Sequence, residues 1–274
     1  MAIRGKKGLS IGTILLIITV ALTLLLTGCS MNVTWLNEAI DNQDYEAFQK
    51  YLAYSFALEE KPYPDFFYKI AEWNYKTPLQ RACSIGNYQM VKDLVDAGAD
   101  VNYTEEVAPY SPLMYAVMSS SQENFEIVKF LVCNGASVIY REEDYGHDAL
   151  CKMVIEEHVP NMVQMMDFLT ENGADIYYKD NNQASLLHVA ASEGNDQAIR
   201  HLLLNYDFDP NATTLNGDTA LIFYCRTLSD VPEKETVSLF LEQGADPTIV
   251  NQDGKTAYDY ALEKGQTEIA ELLK

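Results

Sequence analysis

Positive charge is scarce in this chain. Its 274 residues hold 19 Lys and Arg against 40 Asp and Glu, a formal net charge of −21. Such a polyanion repels phosphate backbones and anionic lipid head groups, which argues against nucleic acid as a partner. The same charge suits a basic partner, or simply a well-solvated surface. The patterns of catalysis and metal binding are missing as well. The histidines, His147, His158, His188 and His201, form no His-x-x-x-His, and the cysteines form no Cys-x-x-Cys. There is no Gly-rich phosphate loop and no nucleophile elbow. The acidic runs Glu105-Glu106 and Glu142-Glu143-Asp144 fall in turn segments rather than across a cleft, and "NQDGKT" at Asn251–Thr256 matches a calcium loop only weakly. No catalytic residue, metal or cofactor is expected. Cys83, Cys133, Cys151 and Cys225 match no disulfide framework, and buried free thiols are the expected state.

One long apolar run is present, densest from Ile14 to Leu26. Arg4, Lys6 and Lys7 precede it without an acid, and Leu26-Thr27-Gly28-Cys29 ends it. A basic start, an apolar middle and small residues at the end make a secretory signal. The last four residues resemble the lipobox of bacterial lipoproteins, whose cysteine is lipidated and becomes the new N-terminus. That resemblance implies lipidation of Cys29 and removal of residues 1–28. Losing three positive charges takes the net charge from −21 to −24. More than one acyl chain gives stable anchoring where a single chain does not. The other reading is an uncleaved membrane helix, because Leu9–Leu26 is just long enough to span. Both readings send the remainder outside the cytoplasm, since the basic flank stays inside.

Beyond residue 33 the chain repeats itself. "TPLQRACSIGNYQMVKDLVDAGADVN" at 77–102 is followed by related units from Ser111, Asp148, Ser185, Thr219 and Thr256. An upstream copy, "TWLNEAIDNQDYEAFQKYLA", begins at Thr34. Gly-Ala-Asp or a close relative recurs at Gly98, Gly135, Gly173 and Gly244. These units resemble ankyrin repeats, of about 33 residues each. The resemblance implies an all-α solenoid of helix–turn–helix units joined by β-turn fingers, about seven units in all. The expected layout is a short tether at 29–33, an N-terminal capping repeat at 34–76, five repeats over 77–255 and a C-terminal capping repeat at 256–274. Thr77 and Ser111 can cap helices that open on Pro78 and Pro112. Leu79, Leu113, Leu150 and Leu187 would fill the core, and the turn glycines would end each second helix in a left-handed conformation.

The spacing between units, 43, 34, 37, 37, 34 and 37 residues, is uneven. Extra residues are expected between paired helices around Ser119–Asn124, Glu156–Asn161 and Thr227–Glu233. The longest gap lengthens the first finger, whose "PDFFYKIAEW" either covers the end of the solenoid or forms a docking surface. Asp207 replaces the turn glycine in one unit and should strain or loosen that turn. In the final unit, Glu263, Lys264, Glu268 and Glu271 should face water.

The fingers carry the candidate partner-binding residues. Tyr103, Tyr140 and Tyr178 occupy one position in three successive fingers, and Glu105, Glu142 and Asp180 follow two residues later. Glu143, Tyr110 and Tyr145 lie beside them. Either these rings and acids form a ladder for a basic partner, or the rings merely pack on adjacent fingers. The chain is expected to be a monomer held to the membrane only by its lipid. It would bind another protein in a bacterial cell envelope, and could inhibit a basic toxin or enzyme. The alternative is a housekeeping accessory or scaffold for envelope enzymes. Ser30 after the lipidated cysteine resembles the outer-membrane sorting pattern, so a two-membrane cell would hold the protein facing the periplasm. A single-membrane cell would hold it on the outer face of the plasma membrane.

Overall fold

The structure, a computed structural model, describes residues 34–53, 76–104, 109–156, 158–227 and 233–274. Cys29 and the apolar run before it, the long first finger, Glu105 and the stretch 228–232 lie outside the described residues. The fold is an all-α solenoid, built of paired short helices. Residues 34–41 are helical (α1) and precede α2, Tyr45–Leu52. The remaining pairs are α3 Pro78–Ile85 with α4 Tyr88–Asp96, α5 Pro112–Val117 with α6 Asn124–Cys133, and α7 Ala149–Ile155 with α8 Met162–Glu171. They continue with α9 Leu186–Ser192 and α10 Asp196–Asn205, α11 Ala220–Thr227 and α12 Lys234–Glu242, and α13 Ala257–Glu263 and α14 Thr267–Leu272. Among the described residues no helix is long and apolar enough to cross a membrane.

The chain divides into two compact units. One holds the residues up to Ala82 together with Gln89–Asp100, and the other holds Cys83–Tyr88 and Val101–Lys274. In the first unit Leu36, Ala39, Ile40 and Phe48 are buried. Polar ties reinforce them. Both carboxylate oxygens of Asp41 accept from Arg81, at 2.7 and 2.6 Å, and Asp93 accepts from Tyr45 and Gln49.

In the second unit, first helices pack on first helices, in the order α5, α7, α9, α11, α13, and α8, α10, α12, α14 form a second layer behind them. No helix pair could bury its apolar face alone, so stacking supplies the core. Leu113, Leu150, Leu187 and Leu221 sit at matching depth in successive first helices, all buried. Each first helix opens on a side-chain cap. Ser111, Asp148, Thr219 and Thr256 accept backbone N–H groups three residues on, which satisfies donors the helix cannot use. Ser185 and His188 form a reciprocal capping box.

Second helices α6, α8 and α12 end on Gly135, Gly173 and Gly244 with φ of 88 to 99°, and the following alanine N–H bonds back to the helix at 2.9 Å. The unit with Asp207 solves the turn differently. Asp207 is not left-handed; instead Tyr206 leaves α10 extended, at φ −130° and ψ 155°. The Tyr206 hydroxyl donates to Asp167 at 2.8 Å, and the Asp207 N–H is taken up by the Tyr177 hydroxyl at 3.1 Å. The expected strain is therefore absent, because an extended exit needs no positive φ.

Three of the four described thiols are as expected. Cys83, Cys151 and Cys225 are free and buried, and burial raises each thiol pKa, to about 12 for Cys225. Cys133 is the correction. It is free but exposed, at the water-facing end of α6. Glu263, Lys264, Glu268 and Glu271 are exposed; on α14, Glu268 and Glu271 flank the buried Ile269 and Ala270.

Candidate protein-binding groove

Between the helix pairs the chain runs out and back in fingers, and adjacent fingers are stitched by single backbone bonds. Asn181 donates to Tyr145, Leu215 to Asn182 and Gln252 to Asn216, each at 3.0 Å. Each finger closes on itself through an isolated β-bridge or a capped turn, as at Lys179 with Ser185 and Thr213 with Thr219. The finger walls together with residues of α7, α9 and α11 line an open groove of about 290 Å³.

The acids expected to project from the fingers point inward. Glu142 is 2% exposed; its carboxylate accepts the N–H of Asp144 at 2.7 Å and those of Tyr145 and His147 at 3.2 Å. Burial alone would raise its pKa, but those N–H groups and the Lys152 ammonium hold it below the usual range. Lys152 is itself buried, 3.8 Å from Glu142 and 3.0 Å from the Tyr110 hydroxyl, to which it donates. Asp180, also buried, accepts from Asn182 and Ala184 at 2.8 Å. These two carboxylates cap loops, so neither is an exposed steering charge. Glu143 alone of the described acids in the ladder is exposed.

The tyrosines divide. Tyr140 is half-buried and donates to the Pro109 carbonyl at 2.7 Å, and Tyr178 lies under the Arg141 guanidinium at 3.4 Å from its ring centre. Tyr103 is half-buried, and Tyr110 is held by Lys152 over its ring at 4.3 Å. Tyr178 and Tyr110 thus each carry a cation over the ring, and Tyr140 is tied through its hydroxyl. Tyr145, 58% exposed and stacked on His147 at 5.5 Å, faces the groove.

Of the groove's other groups, His188 has the hydrogen-bonded place that the repeat resemblance implies, whereas Arg226 and Thr214 were not singled out by sequence. His147 lies 3.5 Å from Asp180 through Nε2, while its Nδ1 is buried without a hydrogen-bond partner. Burial, then the nearby Lys152 charge, keeps its pKa below the ordinary value. His188 donates through Nε2 to the Ala212 carbonyl at 3.0 Å and accepts through Nδ1 from Ser185, and burial lowers its pKa too. Arg226 is neutralised by Asp218, with both carboxylate oxygens at 2.9 Å. Thr214 occupies the finger position held by Asp180 and Asn251 in neighbouring units. There Asn251 caps its loop by accepting from Asp253 and Lys255, whereas the Thr214 hydroxyl, in a residue 8% exposed, has no partner. A threonine where the repeat prefers a capping acid or amide is the signal that could have marked it. Among the described residues no group of His, Cys, Asp and Glu could hold a metal ion.

Comparison with known proteins accounts for this arrangement. The family model for ankyrin repeats (three copies) matches residues 36–142 and 187–274. An ankyrin repeat protein of Acanthamoeba polyphaga mimivirus is 31% identical over 109 residues, covering 39% of this chain and 18% of that protein. The chain spans no more than 18% of the length of the first curated relatives it matches. A chain in the solved complex of the predatory endopeptidase Bd0816 from Bdellovibrio bacteriovorus with immunity protein Bd3460 has a TM-score of 0.59 and 26% identity, covering 71% of this chain and 95% of that chain. The human ASB11 ankyrin repeat domain, at TM-score 0.68 and 23% identity, covers 87% of this chain and 97% of that chain, a likeness of fold. The family match extends over most of the described repeats and agrees with their caps, turns and two-layer stack, so the chain belongs to the ankyrin-repeat family.

Proposed function

We propose that this protein is a lipid-anchored binding module of a bacterial cell envelope that inhibits a basic enzyme or toxin by occupying it, and that it performs no catalysis itself. The observation that carries the binding reading is the groove, which is open, polar at its rim and lined by groups from successive units. Export and anchoring rest on the basic start, the apolar run and Leu26-Thr27-Gly28-Cys29. Inhibition draws on the likeness to a chain from an endopeptidase–immunity protein complex. The net charge of −21 favours a basic partner and speeds its encounter. The partner would meet a monomer.

Two measurements test this. Cys29→Ala should leave an uncleaved precursor that takes up no labelled lipid; undiminished lipid incorporation would remove the anchor. Cross-linking in intact cells, followed by identification of the captured protein and an assay of its activity with and without the purified chain, tests inhibition. A captured enzyme whose rate is unchanged at saturation would instead favour the scaffold role.

A further inference from the structure

Within the groove, one small space is built for a charged guest. Its lining residues include the acids Asp180 and Glu193, Thr214, and the aromatic residues Phe223, Tyr145 and His147. Among the described residues the one arginine or lysine on its wall is Arg226, already held by both oxygens of the buried Asp218, with its guanidinium 4.7 Å from the Phe223 ring centre. That pairing leaves Asp180, whose Oδ1 takes the Asn182 and Ala184 N–H groups, and Glu193, which accepts from Ser192, as the wall's acids without a lysine or arginine partner among the described residues. His147 and His188 do not offset them at neutral pH, because burial favours the neutral ring in both. The volume, about 290 Å³, falls at the bottom of the ~300–1,000 Å³ usual for small-molecule sites. It suits one long side chain better than a whole ligand.

The Thr214 hydroxyl separates this space from an ordinary polar cleft. A buried hydroxyl without a hydrogen bond costs about 1–3 kcal/mol, and the equivalent side chains in the two neighbouring fingers, Asp180 and Asn251, both cap their loops. The fold gains no hydrogen bond from this hydroxyl, which is buried just behind the groove wall that Thr214 lines. Resting on the protein-binding reading above, we propose that this space receives the guanidinium of a single arginine from a basic segment of the partner protein. The planar fork would donate to Asp180 and Thr214 while its face stacks on the aromatic wall, and the exposed Glu193 would close the rim.

The test uses the full-length protein in detergent micelles, with its isoleucine, valine and threonine methyl groups ¹³C-labelled. N-acetyl-arginine amide is the probe, with N-acetyl-citrulline amide as its neutral isostere and N-acetyl-glutamate amide as the opposite charge. The arginine probe should shift the Ile155, Val189 and Thr214 methyl signals saturably, with an affinity at least tenfold above citrulline. Thr214→Val and Glu193→Gln should each weaken that response severalfold, read at Val189. Thr214→Val should do so with an unchanged or raised urea midpoint, because the hydroxyl bonds nothing in the fold. Absence of a saturable shift, equal binding of citrulline, or stronger binding of the glutamate probe would each overturn the proposal. Capture and inhibition of a partner protein are measured separately. A bound partner with a silent probe would remove the arginine assignment and leave the binding role standing.

Discussion

Replacing Glu142 separates a structural acid from a surface one. Were it a steering charge on a finger tip, Glu142→Gln would leave stability within about 0.5 kcal/mol of the parent, as exposed substitutions do. The structure makes it the hub of its own loop instead. Its two oxygens take three backbone N–H groups and lie 3.8 Å from the buried Lys152 ammonium. Hydrogen bonds to a charged acceptor contribute about 1.5–3 kcal/mol each in favourable cases. Asp144 and Tyr145 are exposed, so their N–H groups can turn to water, and the larger loss falls at His147 and Lys152. Breaking a buried pair by removing one partner costs about 3–5 kcal/mol, lessened here because Lys152 keeps the Tyr110 hydroxyl. Glu142→Ala should therefore cost about 3 kcal/mol, and Glu142→Gln, which retains one acceptor oxygen, about half as much. With a urea dependence of about 3 kcal/mol per molar, the alanine variant's midpoint falls by roughly 1 M. Hydrogen exchange at the Asp144, Tyr145 and His147 amides should quicken in step. Glu143→Gln is the control. Indistinguishable midpoints for Glu142→Gln and Glu143→Gln, with amide protection intact in both, would refute the inward-facing carboxylate.

Further outcomes follow from single contacts. In protein carrying Cys29→Ala, a thiol reagent should count one fast group under native conditions, Cys133, and four after unfolding without reductant; a lower final count would reveal a disulfide. Burial depresses the His188 pKa, so as pH falls below about 6.5 the unfolded chain takes up a proton that the folded chain refuses, and stability drops by up to about 1.4 kcal/mol per pH unit. His147, facing Asp180, Glu142 and Lys152, acts in the same direction. His188→Gln retains a capping-box residue and should flatten the loss between pH 7.5 and 5.5; an unchanged slope would clear His188. Asn102 and Asn211 each bridge to the next turn with two backbone bonds, while Ile139 at the same position is 58% exposed and bridges nothing. Ile139→Asn should raise stability by about 1 kcal/mol, and a lowered urea midpoint would contradict the shared geometry.

Local pattern alone carried the repeat. The leucines at matching steps, the caps at Ser111 and Thr256 and the glycines after α6, α8 and α12 act within one unit, through bonds spanning three to five positions. Short-range chemistry of that kind is legible in a linear string. The side that each finger residue turns outward is a different matter. A carboxylate two residues past a tyrosine reads alike whether it faces water or its own loop. In Glu142 the choice fell to three N–H groups and to Lys152 on the next helix, and in Asp180 to the tight turn up to Ala184. Tyr140 was claimed by Pro109, a residue 31 positions earlier. The groove assembles His147, Asp180, Thr214 and Arg226 from four successive units, so no window of sequence contains it. Stacking brings them together, because the apolar face of each helix pair finds cover only on its neighbours.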